Sequence, residues 1–208
     1  MLDVILLILC AVAPAIVLHE YAHGLVANLC GDPTAKMQGR LTLNPIKHID
    51  PIGSVLIPGG LFLLHYFGIT KSLILFGWAK PVPVNFAGLR HPHRDMALVA
   101  LAGPAVNVVL AWLYIQLLHW SVLSGSFYIL GWGGILFNLT LAVFNMMPIP
   151  PLDGSRVVMG LLPRPLARQY AKLEPFGFLI VVVLLQLGML QFLYPLISAL
   201  GALLGIQI

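Results

Sequence analysis

An all-α polytopic membrane protein is the fold class this sequence predicts, and three observations predict it. Of its 208 residues, 60% are hydrophobic and only 9% are charged, against about 25% charged in a soluble domain; mean hydropathy is +0.97. Apolar runs long enough to cross a bilayer, about 20 residues each, recur along the chain. The 11 Lys and Arg residues fall in two windows, 31–94 and 156–172, and are absent from 1–30, 95–155 and 173–208. Together these exclude a soluble globular protein, a disordered chain and a nucleic-acid module. They predict a single membrane domain over 1–208, with about four to six membrane segments.

The positive-inside bias places both basic windows in the cytoplasm and orders the elements. Residues 2–29 are apolar apart from Asp3, His19, Glu20 and His23. They start acidic and run too long for a signal peptide, so they read as a retained first helix running from outside to inside. A second span runs back out from about Asp95 to Trp120. An uncharged turn over Ser121–Ser126 follows, and a third span returns over 127–148. A C-terminal membrane helix or helices occupy about 175–206, with Pro195 as the expected kink or break.

The stretch Ile52–Trp78 is apolar, yet topology requires it to cross an even number of times. Pro58, Gly59-Gly60 and Gly68 interrupt it and Lys71 sits in its middle. It is therefore expected to be a re-entrant or hairpin segment between the first and second core helices, because irregular backbone at membrane depth survives only against protein or a water-filled cavity. The run Lys80-Pro81-Val82-Pro83-Val84-Asn85 reads as extended, since alternate prolines cannot build a helix interior.

Chemistry concentrates on the first helix. His19-Glu20-Tyr21-Ala22-His23 is H-E-x-x-H. Histidines at i and i+4 project from one face, where two imidazoles can hold one Zn²⁺ with the glutamate beside them as general base. His23 lies about 9 Å inside the helix end. Ionisable side chains at such depth cost about 2.5–3.5 kcal/mol each on insertion scales, so three within five residues point to a shared purpose. The competing reading is a polar helix–helix contact. A catalytic zinc site also needs a third protein ligand and an open position. Asp153 follows the third span in Pro148-Ile149-Pro150-Pro151-Leu152-Asp153-Gly154, where prolines break the helix. It reads equally as that ligand and as a helix-capping residue at the cytoplasmic surface.

With these residues in view, the chain resembles the site-2 protease family of zinc intramembrane metalloproteases. H-E-x-x-H stands in the first core helix. Ala102-Gly103-Pro104-Ala105-Val106-Asn107 is similar to the family's G-P-x-x-N. Asn145-Met146-Met147-Pro148 with Leu152-Asp153-Gly154 is similar to its N-x-x-P-x-x-x-L-D-G. Gly77 to Asn85 is similar to a stretch of compact prokaryotic members. The resemblance implies a compact member without PDZ or CBS domains, its catalytic core over about 2–160, in a prokaryotic cell (inner) membrane with the site toward the cytoplasm.

The resemblance further implies one Zn²⁺ per chain held by His19, His23 and Asp153, with Glu20 as the catalytic base. Asn145 is implied as an oxyanion or substrate-binding group, beside the alternative of a helix-packing amide. Asn107, with Gly103 and Pro104, reads as a packing position that hydrogen-bonds across helices. The expected partners are transmembrane protein substrates and the lipid bilayer, with no nucleic acid. Residues 82–85 can hold an unwound substrate by strand addition. The loop Asn44–Pro51 reads as an interfacial loop or as the lining of a water entrance. Two rival functions stand beside the protease: a membrane metal-ion transporter, and a catalytically silent relative that binds membrane proteins.

Overall fold

A computed structural model describes residues 6–69 and 77–208, and among these residues no β-strand occurs. Nine α-helices are described: α1 (Ala13–Leu29), α2 (Thr34–Met37), α3 (Ile57–Tyr66), α4 (Pro92–His119), α5 (Tyr128–Asn145), α6 (Asp153–Leu161), α7 (Arg164–Ala171), α8 (Glu174–Gln186) and α9 (Met189–Leu203). Among the described residues, three stretches are long and apolar enough to cross a membrane: Leu9–Leu29, which is α1 with a π-helical turn before it, then α4 and α5. A fourth is reached if α7 and α8, bent by 62°, count as one span.

Local chemistry sets the helix ends. Proline stands in the first turn of α4, where its missing N–H costs nothing, whereas Pro14 of α1 follows directly on the π-helical turn Ile8–Val12. Asp95 in the first turn of α4 accepts the His91 N–H at 2.8 Å. Helix α5 ends at Asn145, just ahead of Pro148, Pro150 and Pro151, and the Pro150–Pro151 peptide bond is cis. Helix α4 is the centre of the bundle and packs against α1, α5 and α6. Small residues let the helices approach: a Cβ at Gly134 would lie 2.8 Å from the Tyr114 ring, and one at Gly131 would press into Leu118. The apolar core joins Ala111 and Ile115 of α4, Ile135 and Leu139 of α5, and Leu193 and Ile197 of α9.

The segment after Pro51 behaves as an out-and-back excursion. Pro51–Tyr66 is apolar but shorter than a span. Its base is closed where Trp78 N–H donates to the Gly53 carbonyl at 3.1 Å and Ser54 Oγ donates to the Trp78 carbonyl at 2.8 Å. The chain thus returns to where it left. Lys71, at the middle of the predicted hairpin, lies outside the described residues, as does Asp3. The C-terminal pair differs from expectation. Its interruption falls at Leu187–Gly188, where Gly188 takes φ +83°, and Pro195 lies inside α9. A left-handed backbone ends a helix outright and glycine adopts it freely. Proline deletes one hydrogen bond, which a membrane helix tolerates.

Candidate functional site

Helix α1 presents His19 and His23 one turn apart, both buried (6% and 9% exposed). Their Nε2 atoms lie 3.0 Å from each other. Asp153, the first residue of α6, brings its Oδ2 to 3.1 Å from His19 Nε2 and 3.3 Å from His23 Nε2. The polyproline break puts it there: Leu152 is extended, and α6 starts against the end of α5. A Cβ on Gly154 would come within 2.5 Å of the Met147 carbonyl and still closer to that of Met146. Asp153 is therefore inside the bundle rather than capping a helix at the surface.

Hydrogen bonding on the far side of each ring fixes its tautomer. His23 Nδ1 is 2.7 Å from the Val99 carbonyl, which can only accept, so Nδ1 carries the proton. His19 Nδ1 is 2.6 Å from Asn107 Oδ1. The amide of Asn107 cannot be turned round, because its Nδ2 donates to the Ala15 carbonyl (3.2 Å) and to Asn138 Oδ1 (2.9 Å), while Asn138 Nδ2 donates to the Gly134 carbonyl at 2.8 Å. His19 Nδ1 must therefore donate as well. In their neutral forms both rings turn a bare Nε2 lone pair toward the Asp153 carboxylate. Asp153 Oδ2 is buried and has no donor.

Two Nε2 atoms and a carboxylate oxygen 3.0–3.3 Å apart are held together by a shared positive charge, supplied either by a proton on a ring or by a cation among them. Ligands placed tetrahedrally at about 2.0–2.1 Å from zinc are about 3.3–3.4 Å apart, so the spacing and the two-imidazole, one-carboxylate donor set both fit Zn²⁺. Among the described residues this is the one cluster of three such side chains. Gly103 of α4 makes room for it: a Cβ there would lie 2.6 Å from His19 Cε1 and 2.7 Å from His19 Nε2, and would also meet His23.

Glu20 flanks the cluster, and its Oε2 accepts the Val82 N–H at 2.8 Å. Both border a cavity of about 680 Å³ that also exposes His19, His23, Asp153 and Asn145, a size within the usual range of about 300–1,000 Å³ for ligand sites. The predicted extended run is one wall: Ala79, Pro81, Val82 and Val84 line it, with Trp78 and Phe178 in ring contact at 5.5 Å. Arg156 also borders it, lying over the Phe86 ring and pairing with Glu174 of α8. Asn145 faces the cavity with its amide donating to the Leu141 carbonyl of its own helix at 3.0 Å.

The loop Asn44–Pro51 does not line the cavity; it fastens the extended wall, for Lys80 N–H donates to the His48 carbonyl at 2.9 Å. Asp32 holds the wall's other end through the Asn85 N–H at 2.6 Å. Burial works against the charge of Asp32, but hydrogen bonds from Thr34 and Asn85 outweigh it and keep the carboxyl below the usual carboxylate range.

Four parts of the site were missed by sequence reasoning: the bond from His19 to Asn107, the Asn138 relay, the Val99 carbonyl and the Val82 amide. Asn107 does hydrogen-bond across helices as expected, and one of its partners is the His19 imidazole. The available signal was two amides, Asn107 and Asn138, each fully buried in an apolar span, where a polar group needs a dedicated partner.

Residues 119–187, which include α5 and Asp153, match the sequence profile of Peptidase family M50. "Putative zinc metalloprotease YwhC" of Bacillus subtilis (strain 168) is 37% identical over 195 residues, covering 88% of this chain and 81% of that protein. "Putative zinc metalloprotease Rip2" of Mycolicibacterium smegmatis is 34% identical over 190 residues, covering 88% of this chain and 67% of that protein. No solved structure matches. Sharing over a third of its residues with a relative along nearly its whole length, the chain belongs to peptidase family M50, the site-2 protease family of metalloproteases.

Proposed function

We propose that this protein is an intramembrane zinc metalloprotease, a single integral-membrane domain that hydrolyses peptide bonds within or near transmembrane segments of membrane protein substrates. The observation that carries the reading is the convergence of two imidazole Nε2 atoms and one carboxylate oxygen, with the Glu20 carboxylate beside them, on one cavity within an apolar bundle.

His19, His23 and Asp153 would hold one zinc ion, with Asn107 and the Val99 carbonyl orienting the two rings. When bound, zinc supplies Lewis-acid polarisation of the scissile carbonyl and a more acidic water. Glu20, fixed through Oε2 by the Val82 amide, takes the proton of the attacking water on its carboxylate and returns it to the leaving amine. Asn145 borders the same cavity and serves as a substrate or oxyanion donor once its amide turns from the Leu141 carbonyl. A substrate helix hides its amides in its own hydrogen bonds and must unwind to be cut. The extended wall over Val82–Asn85 offers backbone to the unwound stretch. The positive-inside pattern orients the site toward the cytoplasmic face of a prokaryotic cell membrane.

The test is cleavage of a model transmembrane substrate in reconstituted vesicles, wild type against Glu20→Gln. Zinc stays bound in the variant while cleavage falls at least about 100-fold. Persistent cleavage removes Glu20 from the mechanism. Zinc crossing the vesicle without any proteolysis favours a transporter.

A further inference from the structure

Glu20 is held by a peptide plane that is itself gripped from its opposite side. In the wall from Ala79 to Asn85, prolines at 81 and 83 leave few amides to fix the backbone. Lys80 N–H donates to the His48 carbonyl, Val82 N–H to Glu20, and Asn85 N–H to Asp32. Such a run cannot be held in register by a strand ladder, since each proline removes a donor.

Arg40 supplies what the ladder cannot. Its side chain is 8% exposed, and its guanidinium donates to the carbonyls of Lys80 at 2.7 Å, Pro81 at 3.2 Å, and Lys47. Among the described residues no carboxylate pairs with it. A buried cation without a counter-ion is expensive. The planar fork of arginine matches several fixed carbonyls at once, which the point charge of lysine does not. The Pro81 carbonyl and the Val82 N–H belong to one planar peptide unit. Arg40 therefore holds the carbonyl edge of the plane whose N–H edge binds the Glu20 carboxylate.

We propose that Arg40 is a positioning residue for Glu20: by gripping the Lys80 and Pro81 carbonyls it aims the Val82 amide that fixes the catalytic carboxylate. This rests on Glu20 acting as the general base. It assigns the loop carrying Arg40 and His48 a role in the reaction without any contact with substrate.

The experiment uses the full chain in nanodiscs, comparing wild type, Arg40→Gln, Arg40→Lys, Val82→Pro and the Arg40→Gln/Val82→Pro double variant. Hydrogen–deuterium exchange over 79–86 is nearly site-resolved, because two positions are proline. In Arg40→Gln the Val82 amide should exchange at least about tenfold faster while Asn85 stays protected, and the bound zinc should be retained. kcat should fall about 10–100-fold with KM nearly unchanged, as for a misaimed catalytic group. Arg40→Lys should recover part of that loss. Val82→Pro deletes the N–H itself, so its kcat loss should match that of Arg40→Gln and the two should not add. Unchanged exchange at Val82, additive losses, a change confined to KM, or loss of zinc would each overturn the proposal. If the wild type cleaves no transmembrane substrate, the protease reading falls, while exchange at Val82 still decides whether Arg40 holds that peptide.

Discussion

The α1–α4–α5 bundle and helix α3 of the excursion after Pro51 are both apolar by composition, yet they use glycine in opposite ways. In the bundle, His19, His23, Asn107 and Asn138 are buried and tied to one another or to backbone carbonyls of neighbouring helices. Gly103 there leaves room for two imidazoles. In the excursion, α3 buries no residue; Phe62, Leu63 and Tyr66 are exposed, and a Cβ at Gly59 or Gly60 would meet nothing within 4 Å. The difference teaches where structural information sits in a membrane protein. Lipid is as apolar as leucine, so hydrophobicity cannot sort inside from outside. Close approach at small residues and satisfied polar groups do so instead.

That contrast can be broken or sharpened by substitution. The largest effect should come from Gly103→Ala, whose added methyl occupies the space of the His19 and His23 rings; stoichiometric zinc binding, read by metal analysis of the purified protein, should be abolished. Retained zinc would show that α4 can back away and that the bundle is looser than its packing implies. Next comes Asn107→Leu, which leaves the His19 Nδ1–H unpaired and frees the ring to turn. Zinc affinity, measured by competition with a chelator, should weaken about 10–100-fold. Smallest should be Gly59→Ala and Gly60→Ala, which gain at most about 1 kcal/mol of helix stability each and leave zinc binding and cleavage unchanged. A loss of cleavage in either would mean that α3 touches substrate, and the excursion would join the site.

How much was legible beforehand depends on whether a residue's role is local. His19, Glu20 and His23 could be read directly, because helical periodicity alone puts two rings on one face. The extended Pro81–Asn85 run was readable for a similar reason, since proline dictates its own backbone. Asp153 reads from its neighbours equally as ligand and as cap, and only the family resemblance favours the ligand. No local rule says where a chain goes after three prolines. Pro195 reads from sequence as a kink or break, yet the break lies at Gly188 and Pro195 stays inside α9, because a helix in lipid absorbs the loss of one hydrogen bond more easily than a left-handed residue.

Arg40 shows the limit from the other side. In sequence it is one of seven basic residues in the window 31–94 and reads as a topology marker. In the fold it is buried and bonded to carbonyls up to 41 positions away, and nothing in its neighbours announces that.

Composition and helical period by themselves determined that the chain lives in a membrane and which helix face carries the histidines. These follow from transfer free energies and backbone geometry, which act residue by residue. Only the tertiary structure decided that Asp153 reaches the histidines, that Asn107 and Val99 set their tautomers, and that a distant arginine grips the peptide holding Glu20. Those depend on how helices from separate parts of the chain cross, and hydrogen-bond directions across such crossings are not encoded in any short stretch of sequence.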